Sequence, residues 1–143
     1  MSLLEALAQA DVEFVVIGCV AGGAHGSSYG TFDVDIAYAD EPENADRLST
    51  VLAELGADPP SVDAALSCPT RFGRLDCYTE ATGCPTYEAL RAGSVPIRVR
   101  ETIVRVASLD HLIAMGEAMG RPRDLLRATE YRTISDELRA PRD

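Results

Sequence analysis

The stretch FVVIGCVAGGAHGSSYGTFDVDIAY, residues 14–38, decides how this chain is read. Phe14-Val15-Val16-Ile17 is a short, β-branched apolar run ended by Gly18, the pattern of an interior strand. At Gly18-Cys19 the chain must turn sharply, and bare backbone N–H groups can approach a ligand there. Val20 to His25 are small residues with two glycines. They suit a short helix held by packing, because each glycine costs about 1 kcal/mol relative to alanine. The positive N-terminus of such a helix favours an anion. Residues 26–30, GSSYG, read as a loop. Residues 31–38, TFDVDIAY, alternate with period two. Asp33 and Asp35 therefore share one face of a strand, and Phe32, Val34, Ile36 and Tyr38 share the other.

Carboxylates at i and i+2 on a strand stand roughly 7 Å apart at the backbone, and their side chains can converge on one hard cation. Unpaired, they repel and one pKa rises. A bound Mg²⁺ removes the conflict, since it favours one or two carboxylates together with phosphate oxygens. An isolated D-x-D is also compatible with a solvated, acidic strand end. The glycine turn just upstream favours the cation.

Residues 18–36 resemble the signature of the nucleotidyltransferase fold superfamily, the minimal DNA-polymerase-β-like group. There a strand ends in Gly-Gly or Gly-Ser, a short helix follows, and the next strand carries D-x-D. More narrowly, the stretch is similar to small bacterial nucleotidyltransferases, some of them toxin components. Gly18, Ala21, Gly26, Thr31, Asp33 and Asp35 fall in register with that pattern, whereas Cys19 and Tyr29 depart from it. Residues 74–78, RLDCY, resemble the family's third-carboxylate strand, with Asp76 as the acid. Near the end, Arg121, Arg123 and Asp124 match the closing R-x-K-D pattern, and Gly116 stands where a lysine is expected.

The resemblance covers most of the chain and implies an α/β (α+β) fold, a small mixed sheet flanked by helices with a C-terminal helical segment. It implies one domain over residues 1–143, with a sheet core at 1–107 and C-terminal helices at 108–139. It also implies that Asp33, Asp35 and Asp76 are catalytic and hold one or two Mg²⁺. Gly18, Cys19, Thr31, Arg121 and Arg123 would contact the nucleotide. The implied activity moves a nucleoside monophosphate from a triphosphate such as ATP to a hydroxyl on a protein, an RNA end or a small molecule. A partner protein and a toxin–antitoxin setting belong to the same expectation. The three departures imply an alternative of a different class: a degenerate member that binds a nucleotide or a protein without turnover. A D-x-D glycosyltransferase is disfavoured because the chain is short for a sugar-nucleotide fold.

The remaining elements follow from pattern. Residues 2–10 form a short amphipathic helix with Ser2 as N-cap. Asp40 and Pro42 mark the start of a helix over 43–55, with Ala45, Leu48, Val51, Leu52 and Leu55 inward and Gly56 ending it. Residues 57–69 contain three prolines and read as a loop, with a turn of helix near 61–66. Residues 70–78 are a strand in which Asp76 points away from Leu75 and Cys77, with Arg74 as one candidate partner. A helix is expected over 86–92. Strands are expected over 95–100, at an edge because of Pro96, and over 102–107. Ser108 caps the next helix, and Gly120 breaks the chain before a final helix over 122–138.

At 143 residues, 46% hydrophobic and 25% charged, the chain is long enough for one core but not for two. The four cysteines are irregularly spaced and there are only two histidines, which disfavours a zinc site and favours reduced thiols. Cys19, at an expected helix N-terminus, is a thiol whose pKa would fall. No apolar run approaches the ~20 residues of a membrane span. MSLLEALAQA lacks the marks of a signal peptide, so the expected compartment is the cytoplasm. Net charge is −10, unevenly spread: residues 1–97 hold four arginines against fifteen acids, and residues 98–143 nine against eight. The acidic part argues against broad nucleic-acid binding, while the arginine-richer end can contact nucleotide phosphates.

Overall fold

Phe14, Val15, Val16 and Ile17 are buried at every position because they form a central strand with neighbours on both sides. The computed structural model describes residues 2–27, 33–57, 65–80, 83 and 86–140. Within them the chain runs α1 (Leu3–Gln9), β1 (Phe14–Ile17), α2 (Gly18–Ala24), β2 (Val34–Tyr38), α3 (Pro42–Glu54), β3 (Ala65–Thr70), β4 (Gly73–Tyr78), α4 (Tyr87–Gly93), β5 (Val95–Val99), β6 (Thr102–Val106), α5 (Leu109–Met119) and α6 (Pro122–Arg139). The strands form one mixed sheet in the order β3-β4-β2-β1-β6-β5. β1 is antiparallel to β2 and parallel to β6, β2 is parallel to β4, and each edge strand is antiparallel to its neighbour. The α/β class with a mixed sheet is as the sequence led us to expect.

Local chemistry explains most boundaries. Ser2 caps α1 in a full capping box, its hydroxyl accepting from the Glu5 amide while the Glu5 carboxylate accepts from the Ser2 amide. Thr86 and Ser108 cap α4 and α5 by accepting from the amides of Ala89 and His111. Pro96 sits in β5, at the sheet edge where its missing N–H does no harm. Leu48, Val51, Leu52 and Leu55 of the α3 segment enter the core with Leu7, Val15, Ile36, Tyr38, Leu75 and Leu90. Truncating one of these to alanine costs about 2–5 kcal/mol.

Three expectations are corrected. α3 is capped at Glu41 rather than Asp40, without a side-chain cap bond, and Ala45 is only partly buried. Residues 65–69 are not loop: Ala65–Thr70 is an edge strand paired to β4, so residues 65 and 66 are also not helical. The edge position tolerates Pro69, and the hairpin turns through Arg71 and Phe72 into Gly73, whose φ of +117° only glycine adopts without strain. Tyr29, Thr31, Cys84 and residues 61–64 lie outside the described residues.

Asn44, fully buried in the first turn of α3, was not anticipated as part of the core. Its Oδ1 accepts from the Glu13 amide at 2.7 Å, and its Nδ2 donates to the carbonyls of Glu13 at 3.0 Å and Ala39 at 2.9 Å. One side chain thus ties the start of β1 and the end of β2 to α3. That fixes the far end of the strand pair whose near end carries the acids.

Candidate functional site

The sheet register assembles the acids. Ile17 lies opposite Asp35 on β1 and β2, and Asp35 lies opposite Asp76 on the parallel pair β2 and β4. Side chains at paired positions leave the sheet on the same face, so Asp35 and Asp76 stand side by side. Asp33 directly precedes β2 and faces the same cavity. At the end of β1 the chain turns at Gly18, with φ of +68°, straight into α2. A Cβ at position 18 would overlap Asp35 Oδ2, so the glycine is required by shape as well as by backbone. The carboxylate rests against bare main chain.

These residues form one end of a cavity of about 480 Å³. Its other wall is the α5–α6 pair. α5 contributes Leu112, Met115, Gly116 and Met119, spaced to share one helical face, and α6 contributes Arg123, Asp124, Arg127 and Tyr131 in the same way. Cys19 of α2, Tyr78 of β4 and Arg121 complete the lining. The cavity is therefore acidic on the sheet side and basic on the helix side.

Electrostatics follow from this crowding. Burial, the hydrogen bond to Asp76, and the charges of Asp76 and Asp33 push Asp35 up to about 7, with Arg127 opposing. Asp35 thus holds its proton well above the ordinary carboxylate range, in a hydrogen bond to Asp76. Arg74 Nε lies 3.8 Å from Asp76 Oδ1, so the ion pair weighed from the sequence exists, yet it does not draw Asp76 away from Asp35. Arg121 is engaged by Asp124, Nε to Oδ2 at 2.6 Å, and this hydrogen bond holds the Asp124 carboxyl below the usual range. The thiol of Cys19 is not acidified. Burial raises its pKa, the Arg127 charge opposes the rise, and the nearby Asp35 adds to it. Burial also pushes the Tyr131 hydroxyl up to about 12.

The structure brings Gly18, Cys19, Asp33, Asp35, Asp76, Arg121 and Arg123 to one cavity, and Thr31 lies outside the described residues. Sequence reasoning missed Arg127, Tyr78 and Tyr131. Arg127 lies at i+4 from Arg123, a spacing that marks a shared helical face once α6 is recognised.

Three solved structures share this architecture. The antibiotic-resistance factor ANT(2'')-Ia in solution superposes with a TM-score of 0.60 at 16% identity, over 94% of this chain and 80% of its own. A Thermotoga maritima protein assigned to the nucleotidyltransferases gives 0.56 at 15% identity, over 95% and 88%. ANT(2'')-Ia in complex with adenylyl-2''-tobramycin gives 0.55 at 16% identity, over 95% and 92%. This chain has the nucleotidyltransferase fold. No protein-family description and no curated protein sequence matches it. Among the described residues, no helix is long and apolar enough to cross a membrane.

Within the nucleotidyltransferase fold, the donor set fits a hard divalent cation such as Mg²⁺. Two hard oxygen donors, Asp35 and Asp76, are forced together, and burial with the neighbouring Asp76 and Asp33 carboxylates keeps Asp35 from ionising readily, a conflict that a cation relieves. Among the described residues no three His, Cys, Asp or Glu side chains are already gathered into a metal site. The fit therefore rests on the Asp35–Asp76 pair, with exposed Asp33 lining the same cavity, and leaves room for the phosphate oxygens that Mg²⁺ usually takes alongside one or two carboxylates.

Proposed function

We propose that this protein is a Mg²⁺-dependent nucleotidyltransferase that moves a nucleoside monophosphate from a nucleoside triphosphate to a hydroxyl acceptor. The observation that carries the reading is the register pairing of Asp35 with Asp76 beside the Gly18 corner, at the acidic end of a cavity whose far wall carries arginines. Asp33, Asp35 and Asp76 would hold the metal, which when bound neutralises phosphate charge and polarises the α-phosphorus.

The chain's own residues have separable tasks. Gly18 leaves main chain bare, so the polyphosphate can lie against the start of α2. Asp76, on the β4 side of the pair, receives the proton of the acceptor hydroxyl. The acceptor oxygen forms a bond to the α-phosphorus, the bond from that phosphorus to the bridging oxygen breaks, and pyrophosphate leaves with its electron pair. Arg121, held by Asp124, orients the start of α6 and lines the path of the departing phosphates. Leu112, Met115 and Met119 offer an apolar wall to a base or an acceptor.

The complex of ANT(2'')-Ia with adenylyl-2''-tobramycin supports a small-molecule hydroxyl as one acceptor class to screen, alongside a protein and an RNA end. The test is incorporation of α-³²P label from each of the four ribonucleoside triphosphates, with Mg²⁺, into these three acceptor classes. Transfer that disappears in Asp35→Asn and Asp76→Asn supports the reading. If the wild-type chain binds triphosphate tightly but transfers nothing to any acceptor, the degenerate binding module is the correct description.

A further inference from the structure

We propose that Arg127, together with Arg123 one helical turn before it, is the polyphosphate-binding element of this cavity. The inference rests on the nucleotidyl-transfer reading and deepens it by assigning the triphosphate subsite to α6.

Placement carries the inference. Arg123, Asp124, Arg127 and Tyr131 occupy one face of α6, and all four line the cavity opposite Asp33, Asp35 and Asp76. Arg127 is central among the elements around it: its charge acts on Cys19 of α2, on Asp35 of β2 and on Tyr131 of its own helix. Arg121 sits at the N-cap, before this face of α6 begins, with its guanidinium bonded to Asp124. Exposed Arg123 and half-buried Arg127 thus put two cations one helical turn apart in the cavity wall, with Arg127 close enough for its charge to act on Asp35.

Gly116 explains how this pair reaches the site. A Cβ at position 116 would lie 3.0 Å from the Asp124 carbonyl oxygen and 3.5 Å from Ala128 Cβ. The missing side chain is what lets α6 lie close against α5 at this level. Close approach carries the Arg123–Arg127 face over the cavity. A triphosphate lying between this face and a cation on the acid pair would have its charge met from both sides, with guanidinium forks matched to phosphate oxygens.

Inorganic tripolyphosphate, titrated by calorimetry with Mg²⁺ present, isolates this subsite from any base, acceptor or turnover. We expect wild-type binding, a loss of roughly tenfold to a hundredfold in Arg127→Ala, a smaller loss in Arg123→Ala, and partial recovery in Arg127→Lys, as removing a charge-assisted contact predicts. Arg132→Ala, on the same helix but outside the cavity, should bind as wild type does. In turnover with a triphosphate, Arg127→Lys should raise KM more than it lowers kcat. If Arg127→Ala does not fold, Arg127→Gln and the exposed Arg123→Ala decide. Tripolyphosphate binding unchanged in those variants overturns the assignment while leaving nucleotidyl transfer standing. No binding of either tripolyphosphate or a nucleoside triphosphate by the wild type overturns both.

Discussion

Gly18 and Asp35 occupy adjacent space in such a way that the carboxylate stands where any side chain at position 18 would have to go. Gly18 opens α2 directly after β1, whose last residue Ile17 pairs with Asp35 of antiparallel β2, so the contact is set by the register of the sheet. Gly18→Ala should therefore move the carboxylate as well as strain a backbone with φ of +68°. The backbone cost alone is about 1–2 kcal/mol. We expect a lower melting temperature and at least tenfold lower transfer activity, measured by calorimetric melting and label incorporation. A variant with wild-type stability and activity would show that the corner is not shaped by Asp35.

The raised pKa of Asp35 predicts an unusual pH dependence. In the folded, metal-free protein Asp35 titrates at about 7, above the ordinary value of 3.8. Between those values the native chain holds a proton that the unfolded chain has released, so stability from this group falls as pH rises from about 4 to about 7. Melting curves of wild type and Asp35→Asn across that window should converge at low pH and separate at neutral pH, with the variant the more stable. Parallel curves would mean that the carboxylates do not crowd one another.

Asn44 serves three main-chain groups at once. Asn44→Ala removes all three bonds: the Glu13 amide loses its acceptor, while the carbonyls of Glu13 and Ala39 keep only the amides of Ala39 and Glu41. Each such loss is worth about 1 kcal/mol or more. Chemical denaturation should show Asn44→Ala destabilised by about 1–3 kcal/mol, and Asn44→Asp should not restore the loss, because a carboxylate cannot donate to the two carbonyls.

Gly116→Lys restores the residue type that the family resemblance suggests, yet the helix packing opposes it. The new Cβ would stand 3.0 Å from the Asp124 carbonyl oxygen, so α6 must shift by a few tenths of an ångström. We expect destabilisation of about 1–3 kcal/mol and weaker, not stronger, triphosphate binding, because the shift draws Arg123 and Arg127 away from the acids. Tighter binding at unchanged stability would contradict this account of the α5–α6 contact.

Legibility in the sequence followed how local the controlling physics is. Residues 14–17 and 34–38 were readable because a buried strand and an alternating strand carry their own periodicity. The caps at Ser2 and Ser108 are equally local, as is the edge placement of Pro96. β3 was hidden because residues 57–69 contain three prolines, and only the sheet's edge makes Pro69 compatible with a strand. Asn44 looked like one more polar residue at a helix start, since its partners lie up to 31 positions away. The juxtaposition of Asp35 with Asp76 depends on a parallel pairing across α3 and β3, which nothing in either strand announces. Arg127 stayed unnoticed for a similar reason: which face of α6 looks into the cavity is decided by where Gly116 lets it dock.

The parallel pairing of β2 with β4, together with the position of Arg127, sets an order of events during biosynthesis. A ribosome-bound chain holding Asp33 and Asp35 has no counterpart carboxylate until Asp76 has emerged. Its cationic wall follows some fifty residues later on the last helix. A chain stopped before α6 would therefore carry half of this cavity lining at most, and the proposed nucleotide capture would need the chain at least as far as Arg127.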